Sequence, residues 1–309
     1  MSKVGTGEPG SPGSPLLTVG YAQVNGVRLH YKAAGNGRLM LFLHGFPEFW
    51  RCWEKQLLAL GTDHRAVAPD MRGYNLSDCP PDVRDYRARL LIEDIRQLAA
   101  TFTQEKFVLV AHDWGGAIAW SLAIAHPELL SHLVIVNSPH PYLFWRELAG
   151  NPAQQRASEY MLLLRDPKAE RVLSENNFER LLRMRFAGRA SGPALDADKA
   201  AYVEAWSRPG ALTGSLNYYR ASPLYPPSAG DPGAGKLDLD PKDFIVKVPT
   251  LVIWGEKDKA LLPSILDGIE DVVPGVEVVR VPDATHWVMD EKPDLVNSEI
   301  RKFIAKGRA

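Results

Sequence analysis

The chain has only two cysteines in 309 residues, Cys52 and Cys79. They show no metal-ligand spacing and read as free thiols, which excludes a disulfide framework and a cysteine-built zinc site. No apolar run approaches the ~18 residues that a transmembrane helix needs. Excess charge is also missing, since the net charge is −1 at pH 7, and neither nucleic acid nor an anionic membrane is an expected partner. Residues 1–16 are rich in Gly, Ser and Pro without an apolar centre. That stretch reads as a flexible tail, neither a secretory signal nor an anchor, and a reducing cytoplasm is the expected location. What is present, 45% hydrophobic and 24% charged residues, fits a globular protein with a sizeable core.

Short apolar runs then alternate with amphipathic ones. Tyr21 to Val24 and Val27 to Tyr31 flank Asn25-Gly26, whose tolerance of positive φ makes a hairpin turn. Strands follow at Arg38 to Leu43, Ala66 to Ala68, Lys106 to Val110 and Leu130 to Val136, with helical patterns at Trp53 to Leu60, Leu90 to Phe102 and Ala117 to Ala125. Such alternation predicts a mostly parallel sheet covered on both faces. From Pro139 to about Lys242 the rhythm breaks into helical segments, and it resumes with strands Thr250 to Trp254 and Val276 to Val281 and a helix near Asp294 to Ile304. The expected organisation is a core of residues 17–138 and 243–309 with residues 139–242 inserted as a helical lid.

Where strand Lys106 to Val110 meets its helix, the chain reads Ala111-His112-Asp113-Trp114-Gly115-Gly116. A reactive side chain among small residues at a sharp strand-to-helix turn is a nucleophile elbow. Here its centre is Asp rather than Ser. A carboxylate with a reference pKa of ~4 is ionised at neutral pH and needs no base for its first attack. It suits a saturated carbon, because the resulting ester has a carbonyl that water can cleave, whereas Ser would leave a stable ether. Asp113 therefore points to epoxides or alkyl halides. His112, beside it, is aimed elsewhere by its neighbouring position and reads as structural.

Together with His44-Gly45-Phe46-Pro47, Asn217-Tyr218-Tyr219-Arg220, Gly255-Glu256-Lys257-Asp258 and Thr285-His286-Trp287, this run resembles the α/β-hydrolase superfamily, and within it the lidded epoxide hydrolases. The resemblance spans almost all of the chain beyond the tail and implies an eight-stranded, mostly parallel α/β-hydrolase sheet with an inserted helical cap. In this fold an acid and then a His follow the nucleophile, each beyond a strand. That assigns Asp258 to orient His286, the general base. Alone, either residue would more commonly be a surface group; their joint placement reverses the odds. Asp283 and Asp290, near His286 in the sequence, rank lower because neither follows a strand in the triad-acid position. Asn137 occupies the place where some relatives carry the acid. The oxyanion donors fall on the backbone N–H groups of Phe46 and Trp114.

The resemblance also implies two cap phenols that hydrogen-bond the epoxide oxygen, here Tyr160 and Tyr219. Leu212, Leu216 and Tyr219 recur at helical spacing, which sets Tyr219 on an apolar face and turns Tyr218 about 100° away. Trp114, Phe46, Met161 and Trp287 are the expected substrate contacts. The expected reaction converts an epoxide, apolar by the aromatic and aliphatic content of the lid, and water into a vicinal diol through an aspartyl ester, without metal or organic cofactor, in a monomer or homodimer. A dehalogenase using the same Asp and His is the principal alternative, although Phe46 replaces the halide-binding Asn of haloalkane dehalogenases. Fluoroacetate dehalogenases carry Arg where Trp114 stands. A non-catalytic scaffold of the same fold is a remoter alternative.

Overall fold

The computed structural model describes residues 15–306, so residues 1–14 of the expected tail lie outside the described residues. Eight strands form one sheet: β1 (Thr18–Val24), β2 (Val27–Ala34), β3 (Leu39–Leu43), β4 (Arg65–Pro69), β5 (Phe107–His112), β6 (Leu130–Val136), β7 (Thr250–Gly255) and β8 (Glu277–Val281). Their spatial order is β1-β2-β4-β3-β5-β6-β7-β8. The β1–β2 and β2–β4 pairs are antiparallel and all later pairs are parallel. The hairpin turn is where the sequence places it, with φ of 44° at Asn25 and 79° at Gly26. Every residue of β3, β5 and β7 is buried, as expected for parallel strands covered on both sides. At the edge, β1 alternates toward exposure.

Core helices α1 (Glu54–Leu60), α2 (Ala88–Ala100) and α3 (Asp113–Ala125) follow β3, β4 and β5. Between β6 and β7 lie six α-helices: α4 (Pro141–Gly150), α5 (Pro152–Ala157), α6 (Tyr160–Arg165), α7 (Ala169–Phe186), α8 (Pro193–Trp206) and α9 (Ala211–Ala221). The α7 segment is broken where Asn176, Asn177 and Phe178 take positive φ. Three more α-helices, α10 (Ile269–Val272), α11 (Val288–Glu291) and α12 (Pro293–Lys306), follow β7 among the described residues. Among the described residues no helix is long and apolar enough to cross a membrane.

Two features of the topology place the site. The chain leaves β3 for β4 on one side and returns to β5 on the other, so the loops beyond β3 and β5 diverge and open a crevice at their carboxyl ends. Leu43 also pairs in register with Ala111, which brings the segment after β3 against the elbow after β5.

A buried ion pair fixes the floor under the six inserted helices. Arg72, beyond β4, donates from Nε and Nη2 to the two carboxylate oxygens of Asp94 on α2, both at 2.7 Å. Asn25 of the hairpin turn donates to the same carboxylate at 2.8 Å, and the Tyr218 hydroxyl of α9 donates to the Arg72 carbonyl at 2.9 Å. One cation thus joins the hairpin, α2 and α9. Both partners are almost wholly buried, and a buried carboxylate deprived of its cation costs ~3–5 kcal/mol. Arg72→Met should lower the urea unfolding free energy by about that amount, whereas a loss within the range of an exposed pair, below ~1 kcal/mol, would show that Arg72 does not hold this floor.

Candidate active site

Asp113 opens α3 directly from β5 with φ at +49°. That conformation is strained for a residue with a side chain, and it turns the carboxylate outward from the sheet. Neighbouring glycines make room for it. A Cβ on Gly45 would sit 2.2 Å from Asp113 Oδ1, and one on Gly115 would sit 2.5 Å from the Leu43 and His44 carbonyls. The Phe46 N–H donates to Asp113 Oδ1 at 2.7 Å, and the Trp114 N–H also donates to the carboxylate. The two N–H groups expected as oxyanion donors therefore meet on one carboxylate. Behind it, Ser138 Oγ donates to the Asp113 carbonyl at 2.7 Å.

Asp258 lies beyond β7 and His286 beyond β8, and the fold joins them to Asp113. Asp258 Oδ2 accepts from His286 Nδ1 at 2.6 Å, while His286 Nε2 stands 3.7 Å from Asp113 Oδ2. Asp258 also accepts from the Ala260 and Leu261 N–H groups at 2.9 and 3.0 Å and from Asn137 Nδ2 at 2.9 Å. Asp283 pairs with Lys292 and Asp290 with Lys55, Arg185 and Arg189, so neither competes for the imidazole.

A cavity of about 240 Å³ opens beside Asp113. Trp114, Met161, Tyr160 and Tyr219 share its wall with Asp113, alongside apolar groups from α2, α3 and α4. Phe46 and Trp287, expected as substrate contacts, are not among its lining residues. The Phe46 ring packs edge-on against Tyr219 at 5.3 Å. Trp287 is occupied by His286, at 4.7 Å, and by the Arg185 guanidinium, at 4.8 Å. Tyr218 and Tyr219 separate as the helix dictates: the Tyr218 hydroxyl is consumed by Arg72, while Tyr219 stands edge-on to Trp114 at 5.0 Å and hydrogen-bonds with Tyr160.

Residues 38–293 match the family model for the alpha/beta hydrolase fold. A Bacillus subtilis protein, AB hydrolase superfamily protein YfhM, is 38% identical over 290 residues, covering 92% of this chain and 96% of its own. Epoxide hydrolase 4 of Mus musculus is 35% identical over 293 residues, covering 91% of this chain and 77% of its own. The crystal structure of a mutant epoxide hydrolase from Bacillus megaterium matches with a TM-score of 0.84 at 36% identity, over 93% of this chain and all of that one. Another mutant of that enzyme, complexed with its product, a naphthyloxy-propane-1,2-diol, matches with a TM-score of 0.83 at 36% identity, over 93% of this chain and 100% of that one. The chain belongs to the α/β-hydrolase superfamily, in its epoxide hydrolase branch.

In this site the electrostatics follow from burial and pairing. Burial raises the Asp113 carboxyl, opposed by the His286 charge and the two N–H donors. Burial alone would lower His286, but Asp258 and then Asp113 raise it to about 8. Burial would also raise Asp258, yet His286 and its other donors hold it below the ordinary carboxylate range. Both Tyr160 and Tyr219 are raised by burial and by the charge of Asp113, so both phenols keep their protons and remain donors.

Three further groups support the site, and of these only His112 has a structural reading from the sequence. Asn137, at φ +37° after β6, accepts from the Gly255 N–H at 2.8 Å while donating to Asp258; its place at a strand end was the available signal. His112 donates from Nε2 to the His286 carbonyl at 2.9 Å, consistent with its structural reading. Arg185 of α7 pairs with Glu48 beyond Pro47 and, at 2.8 Å, with Asp290 beyond His286. No local pattern in the sequence could have announced that long-range pairing.

The His286 midpoint is testable by NMR titration of the imidazole. It should lie near 8, and both Asp258→Asn and Asp113→Asn should move it downward, since each removes a negative charge that favours the imidazolium. Because the folded value exceeds the ~6.5 of an unfolded chain, the stability this contributes is present below that value and is lost as pH rises through about 8. An unmoved midpoint in both variants would contradict the coupling.

Proposed function

We propose that this protein hydrolyses an apolar epoxide to a vicinal diol through an ester on Asp113. The carrying observation is the pair of protonated phenols, Tyr160 and Tyr219, in one cavity wall with the Asp113 carboxylate. Opening an epoxide expels an alkoxide, a poor leaving group that needs a proton, while a halide needs none; a phenol with a reference pKa of ~10 is a donor suited to the first. Asp113 is the one charged side chain among the residues lining the cavity, which favours a neutral, apolar substrate. The diol bound by the Bacillus megaterium relative supports the same product class.

Asp113 Oδ1 is held by backbone N–H, so Oδ2 is the oxygen free to attack. Its bond to the ring carbon forms as the ring C–O bond breaks, and the departing oxygen takes its proton from a phenol. Esterification removes the charge of Asp113, one of the groups that raise His286. The imidazole then loses affinity for its proton, which leaves to solvent, so more of it stands neutral and able to accept a proton from water. Neutral His286 takes a proton from a water that attacks the ester carbonyl, while the N–H groups of Phe46 and Trp114 stabilise the charge developing on Oδ1. Asp258 orients the imidazole and supports its cationic form. Collapse of the tetrahedral species leaves a carboxylic acid whose proton passes to the departing diol oxygen, which releases the diol and returns the carboxylate, and the phenolate left by ring opening regains its proton through solvent. None of these steps requires a metal or organic cofactor.

Intact-mass measurement tests the ester. His286→Gln treated with styrene oxide should gain the full mass of the epoxide, whereas dehalogenase chemistry on an alkyl halide would add substrate minus hydrogen halide. Absence of adduct in an enzyme that still turns styrene oxide over would refute the ester route. Tyr219→Phe should slow adduct formation by ~100-fold, at the lower end for general acid catalysis, and should slow ester breakdown less; an unchanged rate of adduct formation would remove Tyr219 from the mechanism.

A further inference from the structure

The two phenols sit on different helices of the insertion, Tyr160 at the start of α6 and Tyr219 near the end of α9. Short helices leave carbonyls without partners at their carboxyl ends, and here each end is closed by an arginine from the other helix. Arg165, the last residue of α6, donates from Nη1 to the main-chain carbonyl of Tyr219 itself and to that of Ser222 at 2.9 Å. Arg220, next to Tyr219, donates from Nη2 to the carbonyl of Asp166, the residue that follows α6, at 3.1 Å. A cation at a helix carboxyl end is also favoured by the peptide dipoles.

Further contacts fix each arginine in turn. The Arg165 guanidinium lies 3.8 Å from the centroid of the Tyr225 ring, beyond the Ser222-Pro223-Leu224 segment that lines the cavity. Arg220 forms a fork with Glu170 of α7, with Nη1 and Nη2 at 2.6 and 2.7 Å from its two carboxylate oxygens. A planar, bidentate fork holds direction as well as charge.

We infer that Arg165 and Arg220 form a reciprocal clasp of positioning residues that sets the spacing of Tyr160 and Tyr219, and with it the delivery of a proton to the opening epoxide. The inference rests on the proposed reaction. The clasp touches neither Asp113 nor His286, so it should act on formation of the ester and leave its breakdown alone. A displacement of about 1 Å in reacting groups can cost ~100-fold in rate.

The experiment compares Arg165→Gln with its parent in a His286→Gln background, following the mass gained from styrene oxide with time. Adduct formation should fall by ~100-fold, and Arg165→Lys, which keeps the charge and a donor without the planar guanidinium, should recover part of the loss. With His286 intact, breakdown of the ester should keep its rate. When Tyr160 and Tyr219 are both Phe, Arg165→Gln should have no additional effect, because the two sets of residues act through one interaction. Unchanged adduct formation in Arg165→Gln, or an equal loss in the Phe/Phe background, would overturn the clasp. If Arg165→Gln does not fold, as its circular dichroism would report, Arg220→Lys is judged by the same measurements. A crystal structure of the variant separates this inference from the reaction itself: the Tyr160 and Tyr219 ring centroids, 6.4 Å apart, should change their separation. Unmoved rings would sink the clasp even in an active enzyme, whereas a parent that gains no epoxide mass would sink the reaction and leave ring separation to judge the clasp.

Discussion

A single carboxylate, held where a peptide chain resists holding one, is the constraint on which the site depends. Asp113 combines left-handed backbone, a half-buried position and negative charge. Each is unfavourable alone. The fold offsets them together: β3 beside β5 brings the Phe46 N–H onto Oδ1, the helix start supplies the Trp114 N–H, and Gly45 and Gly115 leave the space that side chains would fill. Preorganised donors of this kind need no rearrangement when charge moves from the carboxylate to a tetrahedral oxygen.

Charges alternate outward from that point. His286 stands between Asp113 and Asp258, and Asp258 is saturated by main-chain and Asn137 donors. On the other side, Arg185 sits between Glu48 and Asp290 and covers Trp287. In a poorly solvated interior an unmatched charge costs several kcal/mol, so each group constrains the protonation of the next. The apolar cavity wall acts on the phenols in the same sense. It opposes their ionisation and preserves them as donors, while strengthening any hydrogen bond they make.

The inserted helices carry two adjacent tyrosines with different duties. Tyr218 is tied to the Arg72 carbonyl and Tyr219 faces Trp114 and Tyr160. Helical period anticipates that separation, because neighbours lie about 100° apart. It does not tell where either side chain ends, and the expected contacts of Phe46 and Trp287 show the limit. Both were reasonable from their chain neighbours, but edge-on aromatic packing and a guanidinium claimed their faces.

What the sequence determined by itself was chemical identity and order along the chain: carboxylate rather than hydroxyl at 113, acid before histidine beyond later strands, and strand rhythm interrupted by helices. These are local properties, fixed by residue type and short spacing. Distances were decided by tertiary packing alone, including the support of Asp258 by Asn137, the pairing of Glu48 with Arg185 and the crossed capping of α6 and α9 by Arg165 and Arg220. Such contacts join segments far apart in the chain, and no residue carries a mark of its distant partner until the sheet and helices bring the two together.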